Sequence, residues 1–150
     1  GRSFGGRTAL QVASSSDKVD SLVIISAPLG LLSEIPNLDT LNSAAYVLRP
    51  LIRCVQGLRF GKIATNTTSP EDFAEMISIP TFLIYSESDR FAGIDVNTVQ
   101  DFHKKLVCQK RIHIFPDNLH LLHSWHLGPV YTMALDWFRI TLNNSKGFDR

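Results

Sequence analysis

The 150-residue sequence lacks the features typical of disulfide-rich, zinc-binding, nucleic-acid-binding and membrane-spanning proteins. Its two cysteines, Cys54 and Cys108, lack C-x-x-C spacing, which argues against a disulfide framework and against a zinc site. Basic and acidic residues nearly balance, at 15 against 14, so nothing indicates a nucleic-acid or anionic-membrane partner. No apolar run approaches membrane-spanning length. We expect no cofactor, no metal and no transmembrane segment, and a cytoplasmic location by default; the sequence does not specify an oligomeric state.

What is present is the composition of an ordinary globular domain, with 44% hydrophobic and 19% charged residues. Strand-like apolar runs alternate with segments of helical periodicity. The predicted strands are 21–27, 80–85 and 111–115. The predicted helices are one that follows Ser3 and ends in the serines at 14–16, one over 95–107 with Asp95 as N-cap, and one that begins at Pro129. Strands that alternate with helices indicate an α/β class with a parallel sheet.

An insertion over residues 29–79 interrupts this alternation. It contains helix-like apolar spacing broken by Pro50 and a strong helix start at residues 69–72 (SPED). We interpret it as a small helical cap within a single domain. Two interpretations stay open, because the cap either covers a pocket beyond the strand ends or is a structural elaboration without substrate contact.

The chain opens on a possible catalytic turn. Residues 1–5 (GRSFG) fit G-x-S-x-G, a pattern that sets a serine on a tight turn flanked by small residues. Ser3 then lies just before a helix, whose free N–H groups favour negative charge. A developing oxyanion is stabilised at such a position. The pattern alone is also compatible with an ordinary loop.

A serine nucleophile needs a base and an orienting acid, and the order of elements supplies candidates. Asp89 follows the strand predicted at 80–85, and His120 follows the strand predicted at 111–115, so both lie at the same sheet edge as Ser3. The order serine, aspartate, histidine is that of α/β-hydrolases. Several alternatives are weighed against these two: Glu87, Glu34 and Asp39 for the acid, and His123 and His126 for the base. His103 and His113 are interpreted as structural.

Taken together, these motifs resemble the C-terminal half of an α/β-hydrolase, in the group of serine aminopeptidases, monoglyceride lipases and small esterases. Residues 1–6 look like the nucleophile elbow, 79–89 like the strand with the acid, and 115–120 like the histidine loop. The sequence departs from that pattern at Ser86, where a glycine is usual, and at residues 118–119 (NL), before the histidine. The resemblance implies Ser3, Asp89 and His120 as the triad and the Phe4 N–H as one oxyanion donor.

The same resemblance implies further strands and a second oxyanion donor upstream of Gly1. We therefore expect a partial sequence that is inactive by itself. The predicted function is a serine hydrolase that cleaves a carboxylic ester, thioester or amide of a small-molecule or acyl substrate through an acyl-enzyme. The alternative is a non-catalytic α/β-hydrolase-like binding or scaffold protein. The sequence does not distinguish lipid from peptide substrates.

Overall fold

The computed structural model describes residues 1–29, 74–89, 94–116 and 124–145. The α-helices within these ranges are α1 (Phe4–Ser15), α2 (Val96–Lys105) and α3 (Ser124–Ser145). The strands are β1 (Leu22–Ile25), β2 (Thr81–Ser86), β3 (Ser88–Asp89), β4 (Ile94–Asp95) and β5 (Lys110–Phe115).

The main sheet is parallel and has the order β1-β2-β5. Leu22 of β1 lies opposite Thr81 of β2, which in turn lies opposite Lys110 of β5. Arg2 forms a further parallel bridge to Ile25, so the first residues of the chain extend the sheet beyond β1. The predicted α/β class with a parallel sheet flanked by helices is confirmed.

Apolar side chains cover both faces of this sheet. Every residue of β1 and β2 is buried, and successive residues point to opposite faces. One set of alternate residues packs with α1 and α2 in a cluster that includes Leu10, Leu83 and Phe102, and the other packs with α3 in a cluster that includes Phe82 and Trp137. Burial on both faces explains why these strands read as continuous apolar runs.

Two helix ends follow the sequence signals closely. Helix α1 ends at Ser15, inside the serine cluster that predicts its end. Asp95 precedes α2 as the predicted N-cap, and its carboxylate accepts a hydrogen bond from the Thr98 N–H at 2.9 Å. That contact satisfies one of the amide groups that the first turn of a helix leaves without a partner.

The start of the last helix was predicted wrongly. Helix α3 begins at Ser124, and Pro129 lies inside it rather than at its first position. Pro129 is the sixth residue of the helix, beyond the first turn, so its missing N–H removes one bond of the helical ladder. An apolar stripe of this helix packs against the sheet, where Val130, Ala134 and Trp137 are buried.

The predicted cap over 29–79 lies mostly outside the described residues. Its two ends are described, and Leu29, Ala74 and Ile77 there are fully buried in the cluster beneath α1 and α2. One pairing was not expected from the sequence: β3 and β4 form a small antiparallel pair directly after β2. In the described ranges, no helix has both the length and the apolar character needed to cross a bilayer.

Candidate active site

Ser3 occupies a sharp turn between the sheet and a helix. Its N–H donates to the Ile25 carbonyl oxygen at 2.8 Å, and the Ile25 N–H donates to the Gly1 carbonyl oxygen at 2.9 Å. Helix α1 begins at the next residue, so the chain reverses at Ser3, with φ 51° and ψ −132°. A residue with a Cβ in such a conformation costs about 1–3 kcal/mol, and such strain clusters at functional sites.

The glycines around Ser3 are needed for close packing, but not all of them. A Cβ on Gly6 would lie 2.7 Å from the Ala27 Cβ, and one on Gly1 would lie 2.6 Å from the Gly5 carbonyl oxygen. A Cβ on Gly5 would meet nothing within 4 Å. The sequence pattern assigned the steric need to Gly1 and Gly5. The structure assigns it to Gly1 and Gly6, because Gly6 faces the sheet and Gly5 faces away from it.

The amino end of α1 leaves a donor available beside Ser3. The Gly6 N–H donates to the carbonyl oxygens of Arg2 and Ser3, at 3.2 and 2.9 Å. No residue of the described ranges accepts from the Phe4 N–H, and the Ser3 side chain does not cap the helix. An uncapped helix start attracts negative charge. Ser3 itself is partly exposed.

Asp89 lies at the same edge of the sheet as Ser3 and is fully buried. It belongs to β3, directly after the end of β2, and pairs with Ile94 of β4. Burial raises the pKa of the neighbouring Tyr85 phenol far above its usual range, and the charge of Asp89 adds to that rise. Glu87, the competing acid, is exposed to solvent. Of the two carboxylates, Asp89 is therefore the one that the fold encloses.

Three backbone hydrogen bonds order the carboxyl edge of the sheet. The Ser3 N–H donates to the Ile25 carbonyl, the Ser26 N–H donates to the Ile84 carbonyl at 3.0 Å, and the Glu87 N–H donates to the Phe115 carbonyl at 2.9 Å. The turn after each strand is thus fastened to the end of the next strand. This arrangement brings the turns that carry Ser3 and Asp89 to one edge, with Ser26 between them.

Most of the other candidate residues for the base and the acid lie outside the described ranges. His120, His123, Glu34 and Asp39 all lie outside the described residues. His126 falls within α3, whose backbone alone is described there.

His103 on α2 and His113 on β5 lie away from the carboxyl turns. The rings of His113 and Phe115 are in edge contact, at 4.6 Å between centroids. No group of side chains in the described part of the chain has the composition of a metal site.

Sequence reasoning missed Ser26. Among the described residues other than glycine, Ser3 and Ser26 have a positive φ, and that of Ser26 is 47°. Its hydroxyl is fully buried and has no hydrogen-bond partner in the described ranges. A serine inside an apolar run reads as one more strand residue, so no sequence signal distinguishes it. The next residue is also fastened, because the Tyr85 hydroxyl donates to the Ala27 carbonyl at 2.9 Å.

The fold is similar to that of several solved hydrolases. An esterase of Pyrococcus furiosus superposes with a TM-score of 0.68 at 16% identity over 94% of this chain. A monoacylglycerol lipase of Paleococcus ferrophilus gives a TM-score of 0.63 at 17% identity over 91%. A serine hydrolase involved in carbazole degradation gives 0.61 at 21% identity over 93%. The chain therefore has the fold of the α/β-hydrolases, as its motifs predict.

The chain spans only part of the length of these proteins, covering 52%, 65% and 62% of the three solved chains respectively. No family model matches the sequence, and no curated protein matches it either. At identities near one fifth or below, the likeness concerns the fold, and the chemistry has to be argued from the site.

Proposed function

We propose that the protein is a serine hydrolase with Ser3 as its nucleophile, which cleaves a carboxylic ester, thioester or amide through an acyl-enzyme. The observation that carries this proposal is the strained backbone of Ser3. Its φ is 51°, and it lies between the segment that pairs with β1 and the start of α1. A turn of this kind exposes the serine hydroxyl while a helix N–H stands next to it. The hydrolase fold of the chain adds support.

The proposed reaction uses four groups. The Ser3 Oγ attacks the carbonyl carbon while His120 takes its proton, and Asp89 orients His120 and stabilises the imidazolium. The Phe4 N–H donates one hydrogen bond to the oxyanion. His120 then protonates the leaving alcohol, thiol or amine, and the acyl group stays on Ser3. Water activated by His120 hydrolyses the acyl-enzyme, which releases the acid and restores the Ser3 hydroxyl.

A fluorophosphonate probe tests the nucleophile directly. The experiment uses the full-length protein, meaning the longest natural form that carries these residues. The probe should label the wild type, and Ser3→Ala should abolish labelling, whereas Ser14→Ala, a matched change at the far end of α1, should leave it unchanged. Labelling of the Ser3→Ala variant at the wild-type level would refute the assignment. A wild type that resists labelling would favour the non-catalytic alternative.

The roles of the histidines are tested by a pair of variants in the same form of the protein. His120→Ala should lower turnover by orders of magnitude, because Ser3 then has no base. His123→Ala should alter folding or binding more than turnover. If a well-folded His123→Ala variant loses more turnover than His120→Ala, the base is His123 instead.

We further propose that the 150 residues expressed alone have little or no hydrolase activity. Ser3 is the third residue of this chain, and β1 alone among the described strands holds that segment. A terminus held on one side fluctuates more than nucleophilic attack tolerates. This chain should turn over p-nitrophenyl esters no faster than its Ser3→Ala variant; clear Ser3-dependent turnover would contradict the proposal. A cytoplasmic location remains a prediction from the sequence.

A further inference from the structure

Two features of Ser26 lower the stability of the fold. Ser26 adopts φ 47°, a conformation that glycine reaches without strain, and it buries a hydroxyl that has no partner among the described residues. Glycine at this position would remove both costs at once. Costs of this kind persist where the surroundings need the geometry that they produce.

The peptide bond between Ile25 and Ser26 explains what that geometry serves. On one side, its carbonyl oxygen accepts the Ser3 N–H at 2.8 Å. On the other side, its N–H donates to the Ile84 carbonyl at 3.0 Å. One rigid peptide plane therefore holds the Ser3 turn on one edge and β2 on the other. Beyond this peptide, the left-handed conformation at Ser26 turns the chain out of the sheet.

We infer that Ser26 is a positioning residue for Ser3, and this inference rests on the proposed role of Ser3 as the nucleophile. A Cβ at this position, fully enclosed by its neighbours, restricts rotation of the peptide between Ile25 and Ser26. Glycine would accept the same conformation but would also allow many others. The Ser3 N–H would then lose its fixed acceptor, and the Ser3 hydroxyl would lose its fixed direction.

The test compares Ser26→Gly with Ser26→Ala in the full-length protein. Alanine keeps the Cβ and removes only the unpaired hydroxyl, so it is the matched control. With a fluorophosphonate probe, Ser26→Gly should lower the maximal labelling rate about tenfold at an unchanged half-saturating concentration, because misplaced groups lose rate rather than affinity. Ser26→Ala should stay within about twofold of the wild type.

Amide hydrogen exchange provides a second readout that does not depend on activity. The Ser3 N–H should exchange faster in Ser26→Gly and at the wild-type rate in Ser26→Ala. Ile24→Val, two residues earlier in β1, is a control for general loosening and should change neither readout at Ser3.

Two results would overturn the inference. One is a Ser26→Gly variant with wild-type labelling rate and wild-type Ser3 exchange. The other is a Ser26→Ala variant that loses as much labelling rate as Ser26→Gly, because the hydroxyl rather than the backbone would then be responsible. If Ser26→Gly does not fold, Ser26→Ala decides alone. It keeps the Cβ, so its Ser3 N–H must exchange at the wild-type rate, and faster exchange would overturn the inference. Failure of the proposed function would look different, because the wild type would then resist labelling or Ser3→Ala would retain it, while the exchange comparison at Ser3 would still be readable.

Discussion

The central strand β2 and the segment of residues 1–3 belong to the same sheet but are held very differently. Strand β2 is hydrogen-bonded on both sides, and all six of its residues are buried. In the part of the chain that the structure describes, the segment of residues 1–3 pairs with β1 alone, and Ser3 at its end is partly exposed and strained. Strand β2 is thus the fully buried part of this comparison, and the proposed nucleophile lies in the less enclosed segment of residues 1–3.

This difference separates two kinds of substitution. A change inside β2 should lower the free energy of unfolding and leave the reactivity of the remaining folded molecules intact. A change near Ser3 should affect reactivity through small displacements that hardly alter stability. The connections between the two regions, at Gly6, Ser26 and Tyr85, are where both quantities should respond.

The largest effect on stability is expected from Leu83→Ala in β2. Leu83 is fully buried in the cluster beneath α1 and α2, so truncation should cost about 2–5 kcal/mol of unfolding free energy. Leu135→Ala is the matched control, because Leu135 is 57% exposed on α3 and should cost less than about 0.5 kcal/mol. Urea unfolding measures both. Equal losses would contradict the assignment of the core.

The contact beneath the Ser3 turn is tested by a glycine pair. Gly6→Ala should cost about 1–3 kcal/mol, because its Cβ would lie 2.7 Å from that of Ala27 and the start of α1 would have to move. Gly5→Ala meets nothing within 4 Å, so it should not lower stability. Thermal unfolding and probe labelling should both distinguish the two variants. A Gly5→Ala variant that is the less stable of the two would show that the turn is packed differently.

The bond that fastens the chain after Ser26 should have a smaller effect. Tyr85→Phe removes the buried hydrogen bond to the Ala27 carbonyl, which should cost about 1 kcal/mol. Tyr131→Phe is the control, because Tyr131 is 52% exposed. Equal stability of the two variants, measured by urea unfolding, would mean that the Tyr85 bond contributes nothing net.

The strands and helices of this molecule were easier to predict from the sequence than the start of α3 and the backbone conformation at Ser26. Strands β1 and β2 were predictable because burial on both faces makes them apolar throughout, and α2 because Asp95 marks its start. Strand β5 is only partly buried, and its prediction rested on the apolar residues of its second half. The start of α3 was not predictable, because Pro129 favours the first turn of a helix but is the sixth residue of this one. Ser26 left no signal, since a backbone angle at the end of a strand has no pattern in the residue types.

The smallest expected effect is a pH dependence of stability from His103 on α2. Burial lowers the pKa of His103 below its ordinary value of 6.5, and the charge of Lys110 lowers it further. The buried Nε2 has no partner among the described residues. As the pH falls below 6.5, the unfolded chain therefore binds a proton at His103 before the folded chain does, and the free energy of unfolding declines until the folded pKa is passed.

His103→Gln should remove this contribution. The stability of the wild type relative to His103→Gln, measured by urea unfolding, should be greater at about pH 7.5 than at about pH 5.5. A relative stability that stays constant or rises as the pH falls would show that His103 ionises as readily in the folded protein as in the unfolded chain.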